Sequence, residues 1–371
     1  MGQLGYFFNL VKRIDKVLLA LPILFAFVSV TMIASITYDG ENPLNRSIVV
    51  QAASYLIGYV AMGAMLLIDY RIFARYEKPI YVCALLFQLS VYTPLGTDMG
   101  TGSLAWIDFG ITTMQPSELV RLLFVPIFAN FLSGMRDSLA SIKGVLFSVL
   151  YAAPFLALIM KQDFGSGLVL AVMCVGMVFH AGIDGKLFGR LAAVFLVALP
   201  VLYRFMEGYQ KERIEGFLHP ENLSIRTTWQ VHQAKVAIGS GGLFGKGLFS
   251  GTQKELNFIP VQESDFIFAV MAEELGFIGG AALICLYLVF LLRIWRIGVK
   301  AKDLYGSLIV IGVATMFAFQ IFENIGMNMG LMPVTGIPLP FVSAGGTAVA
   351  ANMLAIGLVL NVGIRNKTIN F

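Results

Sequence analysis

Apolar residues fall into ten blocks along the chain, at 17–37, 47–68, 79–95, 118–134, 144–160, 164–182, 187–205, 266–294, 305–329 and 344–364. A helix that crosses hydrocarbon needs roughly 20 mostly apolar residues. Each block therefore predicts a membrane-spanning helix, with soft boundaries for the short third, fourth and fifth. The expected fold is all-α: a polytopic membrane protein of ten transmembrane helices, residues 1–371 forming a single transmembrane domain. The first block follows Lys12, Arg13 and Lys16, as a signal peptide would. It is too long for a signal core and no clean small-residue cleavage site follows, so it reads as a retained helix.

The polar intervals are uneven. Most are short, but one runs from about 206 to 265, between helices seven and eight. It opens with a charged run, Glu207 to Glu215, and continues through His219-Pro220 and an amphipathic piece, Thr227 to Ile238. A glycine cluster follows: Gly239, Gly241, Gly242, Gly245 and Gly247. Loops of this length are usually functional. There is no fixed-period repeat, and no pair of matching broken helices of the transporter kind.

Composition agrees with the pattern. The chain is 58% hydrophobic and 13% charged, against about a quarter charged in soluble domains. The mean hydropathy is +0.80. The net charge of +4 says little, but its placement says more. With the N-terminus cytoplasmic, sixteen of the 26 Lys and Arg fall on the inner side: Lys12, Arg13, Lys16, Arg71, Arg75, Lys78, Arg136, Lys143, Lys186, Arg190, Arg293, Arg296, Lys300, Lys302, Arg365 and Lys367. The short outer loops hold only Arg46 and Lys161. This obeys the positive-inside rule, and an even span number puts both termini in the cytoplasm and the large loop outside. The basic residues are topology signals, and no nucleic-acid footprint is present. Cys83, Cys174 and Cys285 lie within predicted helices, which suggests no disulfide framework. His180, His219 and His232 lack zinc spacing.

Charges near or within spans are costly and mark candidate sites. Gln115-Pro116-Ser117-Glu118 opens helix four on the outer side, with Arg121 placed to pair with Glu118. Pro116 and Glu118 suit a helix N-terminus, so structure and function stand at even odds there. Asp163 begins helix six on the same side. Glu263-Ser264-Asp265 precedes helix eight, where Ser264 reads as an N-cap. The alternative is a carboxylate beside the large loop that acts as general base or binds a divalent cation. Glu273 and Glu274 lie deeper, and with Glu323 leave a polar cavity between helices open. Gln320, Asn324 and Asn328 share one face and predict interhelical hydrogen bonds. The uncharged outer loop 330–343 carries three prolines and reads as a rigid connector or the lining of a lipid path. Walker A, GxSxG, HExxH and Rossmann motifs are absent, so no nucleotide is expected. From the residues alone, an enzyme acting on a lipid-linked substrate and a transporter both fit.

At these positions the chain resembles the SEDS family (shape, elongation, division, sporulation), and its RodA-type branch. The resemblance covers nearly the whole chain. It rests on Trp106 with Gln115-Pro116-Ser117-Glu118; on Gln162-Asp163 with Gly165; on Gly239-Ser240-Gly241-Gly242-Leu243-Phe244-Gly245-Lys246-Gly247; on Ser264-Asp265-Phe266 with Ala272-Glu273-Glu274-Leu275-Gly276; and on Asn324-Ile325-Gly326-Met327-Asn328 running to Pro340-Phe341-Val342-Ser343. Met332-Pro333-Val334-Thr335-Gly336-Ile337-Pro338 favours the elongation branch.

The resemblance implies ten transmembrane helices in the bacterial cytoplasmic membrane. It implies a peptidoglycan glycosyltransferase that polymerises lipid II into glycan strands at the outer face, beside a class B penicillin-binding protein and other elongation-complex membrane proteins. The family's essential aspartate matches Asp265 and its motif glutamate matches Glu118. The expected reaction is inverting. Asp265 is then the base or a metal ligand, and Glu118 a ligand for a magnesium or manganese ion or an orienting group. Arg121 and Lys161 are candidate phosphate contacts. Gln115, Trp106, Asp163 and Ser264 are expected to support the site. Three positions depart from the family pattern: Ala105 replaces a basic residue, Arg121 a lysine and Ala344 an aromatic. A lipid II flippase and a non-catalytic scaffold are the competing roles.

Overall fold

The computed structural model describes residues 14–38, 45–98, 104–110, 113–204, 206–252, 258 and 261–366. Lys12, Arg13 and Lys367 of the inner basic set lie outside the described residues. Helix α1 (Lys16–Thr37) starts at Asp15, whose carboxylate accepts from the Leu18 amide at 3.0 Å. Helices α2 (Arg46–Leu67), α3 (Arg71–Arg75) and α4 (Glu77–Leu89) follow, the last extended by a 3-10 turn at Ser90–Tyr92. Three short strands, β1 (Gly96–Thr97), β2 (Trp106–Asp108) and β3 (Thr113–Met114), pair antiparallel in that order and lead into α5 (Pro116–Gly134). Helices α6 (Ile142–Gln162), α7 (Phe164–Ala181) and α8 (Gly185–Arg204) come next. The long loop holds α9 (Gly208–Leu218), opened by a capping box between Glu207 and Gln210, and α10 (Arg226–Ser240). Helices α11 (Ile267–Val299), α12 (Leu304–Met329) and α13 (Gly346–Asn366) complete the bundle.

Every apolar block folds as a helix, but the expected ten spans are not all of spanning length and apolarity. Among the described residues eight are: α1, α2, α5, α6, α7, α11, α12 and α13. Helix α4 has only 13 residues, because Thr93-Pro94 forces the chain out of helical geometry just beyond it. Helix α8 has 20 residues, with Lys186 and Arg190 in its first half and Arg204 at its end, and is not among these eight.

Helices α12 and α13 lie at the centre, with 78% and 72% of their apolar windows buried, against 28% for the peripheral α6. Helix α12 packs on α5, α7 and α11, and α13 packs on α2. The outer connector 330–343 is built into this core. Phe341 stacks on Phe25 at 5.4 Å and meets Phe290 and Phe317 at 5.5 Å each, so its ring shares the central aromatic cluster. Its strained φ of +68° is held by the Tyr55 hydroxyl, which donates to the Phe341 carbonyl at 2.6 Å.

Helix α11 is broken. At Gly276 the backbone turns to φ +69°, ψ −167°, a region essentially restricted to glycine. The amides freed by the break are satisfied by the glycine cluster. Phe277 and Ile278 donate to the carbonyls of Gly242 (2.9 Å) and Leu243 (3.2 Å). In return the Lys246 and Gly247 amides donate to the carbonyls of Glu273 and Glu274, both at 3.0 Å. A Cβ on Gly276 would sit 2.3 Å from the Gly245 nitrogen. The two deep glutamates serve the same joint. Fully buried Glu273 pairs with Lys246 at 2.7 Å and accepts from Thr252 at 3.0 Å. Glu274 accepts from Ser35 of α1 at 2.6 Å.

Candidate active site

Asp265 lies just before α11, half-buried, on the side of the long loop. The N-cap of α11 is Phe266, with no side-chain cap bond. Ser264 is therefore not the cap that its position predicts: its hydroxyl donates to Asp265 Oδ1 at 2.9 Å. The Asp265 carboxylate is not spent on helix capping.

The backbone around Asp265 is held from several elements. Its carbonyl accepts from the side-chain amides of Asn324 and Asn328, each at 3.0 Å. The Asn324 amide also donates to the Ile337 carbonyl at 2.8 Å, and Asn328 accepts from the Ala269 amide at 3.2 Å. These are the expected interhelical bonds, and they converge on Asp265. Ser343 donates to the Ser264 carbonyl, and the Ala344 amide to the Glu263 carbonyl at 2.7 Å. The segment 263–265 is thus stitched to α12 and to residues 343–344 at the end of the connector.

Two further charges reach this point. Arg213, on α9, donates through Nη1 to the Thr335 carbonyl at 2.5 Å. It faces Asp265 across Gly336: a Cβ on that glycine would lie 3.5 Å from Asp265 Oδ2 and 3.6 Å from Arg213 Nη2. Asp163 caps α7, accepting from the Gly165 amide at 3.0 Å and the Ser166 hydroxyl at 2.6 Å. Gln115 donates to it at 3.1 Å, which ties the start of α5 to the start of α7. Gly165 in turn abuts the Thr335 carbonyl, where a Cβ would come within 2.7 Å. Desolvation raises the Asp265 carboxyl above the usual carboxylate range. The Ser264 hydroxyl and the Arg213 charge pull against that rise, and the Asp163 charge adds to it.

The remaining sequence candidates are placed elsewhere. Glu118 is buried and pairs with Arg121 at 2.5 Å; no hydrogen bond or ion pair joins either to Asp265 among the described residues. Arg121 is 2% exposed, so it is a structural partner of Glu118 rather than an open phosphate contact. Lys161 lies 5.9 Å from the Tyr92 ring centroid, and Trp106 sits in β2 opposite Thr97. Of the expected metal pair, Glu118 is engaged by Arg121 and Asp265 by the Ser264 hydroxyl. Among the described residues no group of three or more His, Cys, Asp or Glu could hold a metal ion. A divalent ion at Asp265 would therefore take most of its ligands from substrate phosphate and water, as magnesium ordinarily does.

Sequence reasoning missed Arg213, which is one basic residue inside a run of mixed charge. The only local signal is Tyr209, one turn earlier on α9, whose ring centroid is 5.7 Å from the guanidinium carbon.

Comparison with known proteins agrees with the architecture. The family model described as "Cell cycle protein", named for FtsW, RodA and SpoVE, matches residues 10–368. The chain is 36% identical over 318 residues to stage V sporulation protein E of Bacillus subtilis, covering 82% of this chain and 84% of that one. It is 33% identical over 322 residues to peptidoglycan glycosyltransferase MrdB of Escherichia coli K12, covering 85% and 86%. It superposes on the Thermus thermophilus rod shape determining protein RodA with a TM-score of 0.71 at 26% identity, covering 96% of this chain and 98% of that one. Against a chain from a peptidoglycan synthase complex that coordinates polymerization and crosslinking, the TM-score is 0.79 at 26% identity, with 96% and 99% covered. A family match over residues 10–368, with relatives of 33–36% identity over more than four fifths of the chain, makes this multi-pass membrane protein a member of the FtsW/RodA/SpoVE, or SEDS, family.

Proposed function

We propose that the protein is a peptidoglycan glycosyltransferase that polymerises lipid II at the outer face of the bacterial cytoplasmic membrane, during elongation and shape maintenance. The observation that carries this reading is Asp265: a carboxylate with a raised pKa, not used in capping, with one hydroxyl partner, on a backbone segment whose carbonyls are held by Asn324, Asn328, Ser343 and Ala344. Such a group suits a general base. It takes the proton from the acceptor sugar hydroxyl as that oxygen attacks the donor anomeric carbon. The bond from that carbon to the diphosphate oxygen breaks, configuration inverts, and the diphosphate leaves with the bonding pair. Arg213, facing Asp265 across Gly336, supplies positive charge where that pair departs.

The relatives named peptidoglycan glycosyltransferase support the activity, and the run Met332 to Pro338 supports the elongation branch. The peptidoglycan synthase complex supports a class B penicillin-binding protein as partner. The basic-residue pattern supports cytoplasmic termini. A flippase needs a polar path through the bilayer, and two of its three candidate carboxylates, Glu273 and Glu274, are bound to Lys246, Thr252 and Ser35. The test is purified protein with its partner and labelled lipid II. A ladder of glycan strands is expected from the wild type and none from Asp265→Asn. Strands of normal length from that variant would remove Asp265 from the mechanism.

A further inference from the structure

Four successive carbonyls at the end of the 330–343 connector each accept from a different side chain on a membrane helix. Tyr287 of α11 donates to the Pro340 carbonyl at 2.5 Å and Tyr55 of α2 to that of Phe341 at 2.6 Å. Ser29 of α1 donates to the Val342 carbonyl at 2.8 Å and Gln51 of α2 to that of Ser343 at 3.1 Å. All four donors are buried. The backbone here is also strained. Of the three non-glycine residues with positive φ among the described residues, Phe341 (+68°) lies in this run, and Val261 (+55°) accepts from the Asp265 amide through its carbonyl at 3.1 Å. Such strain persists only where the surroundings over-determine the backbone, and it clusters at active sites.

Gln51 does more than satisfy one carbonyl. Its side-chain nitrogen also donates to the Ser29 hydroxyl at 2.8 Å, and its side-chain oxygen accepts from the Gly345 amide at 3.1 Å. It therefore grips the chain on both sides of Ala344. Residues 343 and 344 are the ones that bond the Asp265 segment: Ser343 donates to the Ser264 carbonyl, and the Ala344 amide to the Glu263 carbonyl at 2.7 Å. Ser264 in turn donates to Asp265 Oδ1 at 2.9 Å. Three hydrogen bonds thus lead from a buried amide on α2 to the carboxylate. Asn361 of α13 makes comparable bonds at the opposite end of α2, donating to the carbonyls of Met65 and Ile68 and accepting from the Tyr70 amide.

We propose that Gln51 is a positioning residue for the glycosyl transfer: its grip on the 343–345 turn sets where the Ser264 hydroxyl, and with it the Asp265 carboxylate, stands. This deepens the proposed reaction and rests on it. Gln51 acts through Ser343. A primary amide is costly to bury unless its donors and its acceptor are all engaged, and here they are, two of the three bonds going to the turn itself. A fully satisfied polar network of this kind specifies one geometry, whereas an apolar residue at the same place on α2 would pack against the turn without fixing it.

The test uses the full chain in lipid nanodiscs, with its partner and labelled lipid II. It reads backbone hydrogen exchange over residues 261–266, melting temperature, and kcat with KM. Gln51→Leu roughly keeps the side-chain volume and removes all three bonds. It should raise exchange over 261–266 and lower kcat by about tenfold, with KM changed by less than about twofold. Asn361→Leu should lower the melting temperature and alter neither that exchange nor kcat. Because Gln51 acts through Ser343, the Gln51→Leu, Ser343→Ala double variant should have the kcat of Ser343→Ala alone. Should Gln51→Leu not assemble, Ser29→Ala removes one Gln51 partner and should give a smaller rise in the same exchange. Unchanged exchange over 261–266 would overturn the proposal. So would losses of kcat that multiply in the double variant, or an equal loss of kcat in Asn361→Leu, which would make Gln51 a plain bundle contact. Exchange is read without turnover. A wild type whose protection falls in Gln51→Leu but which makes no glycan would sink the proposed reaction and not the hold on the Asp265 segment. Normal kcat in Gln51→Leu would sink the positioning role and not the reaction.

Discussion

Asp265 titrates under opposing influences, and the sign of its shift is testable. A general base works only when ionised. Desolvation holds this carboxyl above the ordinary aspartate value of about 3.9, so activity should fall on acidification at a pH above that value. The Arg213 charge lowers the Asp265 pKa. Arg213→Ala should therefore move the acid limb of kcat/KM to higher pH; a limb that stays in place would show that the two groups are not coupled. Asn324 acts on the same residue through its backbone. Asn324→Leu leaves the Asp265 carbonyl with Asn328 alone and removes the only side-chain donor to the Ile337 carbonyl among the described residues. A buried acceptor left unpaired costs about 1–3 kcal/mol, so melting in detergent should drop measurably and kcat should fall more than KM changes. A variant that loses only stability would make Asn324 a bundle contact and nothing more. Asp265, Glu118 and Asp163 were all legible in the sequence as carboxylates at helix starts. Which of them was committed was not. Glu118 is held by Arg121 and Asp163 by three donors, while Asp265 keeps a single hydroxyl partner.

At the scale of elements, the junction of α11 with the glycine cluster governs the site's outer edge. The backbone exchange at Gly276 replaces the helical bonds that the break forfeits. Gly276→Ala meets both a forbidden φ and the Gly245 nitrogen at 2.3 Å, and should cost about 2–4 kcal/mol, read as a lowered melting temperature. Lys246→Ala strips the cation from a fully buried Glu273. The expected loss is about 2–4 kcal/mol, with Lys246→Arg recovering part of it. Unchanged melting of both variants would show that the joint contributes nothing to the bundle. The sequence made the glycine cluster conspicuous without explaining it, because its partners are carbonyls and amides of a helix some thirty residues away. Helix α10, by contrast, matches the amphipathic piece Thr227 to Ile238 that the sequence marks, while α9 forms over what reads in sequence only as a charged run.

Across the whole molecule, the proposed topology places the α11–α12 connection inside and the α9–α10 hairpin outside. A Lys302→Cys variant should react with a membrane-impermeant thiol reagent only in inverted vesicles, and Glu221→Cys only in intact cells. Labelling of both from one side would overturn the arrangement. The number of crossings is the one architectural expectation that the fold does not reproduce outright. Of the two expected spans outside the eight, α4 is cut short at 13 residues by Thr93-Pro94, while α8 keeps a 20-residue helix.

What the sequence determined by itself are the properties that depend on neighbours along the chain. Apolar blocks of spanning length, basic residues on one side, carboxylates such as Glu118 and Asp163 at helix starts, and a long polar loop all follow from local composition and spacing. Only the tertiary structure decided which charges meet. Arg213 is brought to the Thr335 carbonyl beside Asp265, and Asn324 and Asn328 reach back some sixty residues to hold the Asp265 carbonyl. These contacts arise because buried backbone groups must be satisfied wherever the packed helices bring a donor, and no periodicity in the chain records where that will be.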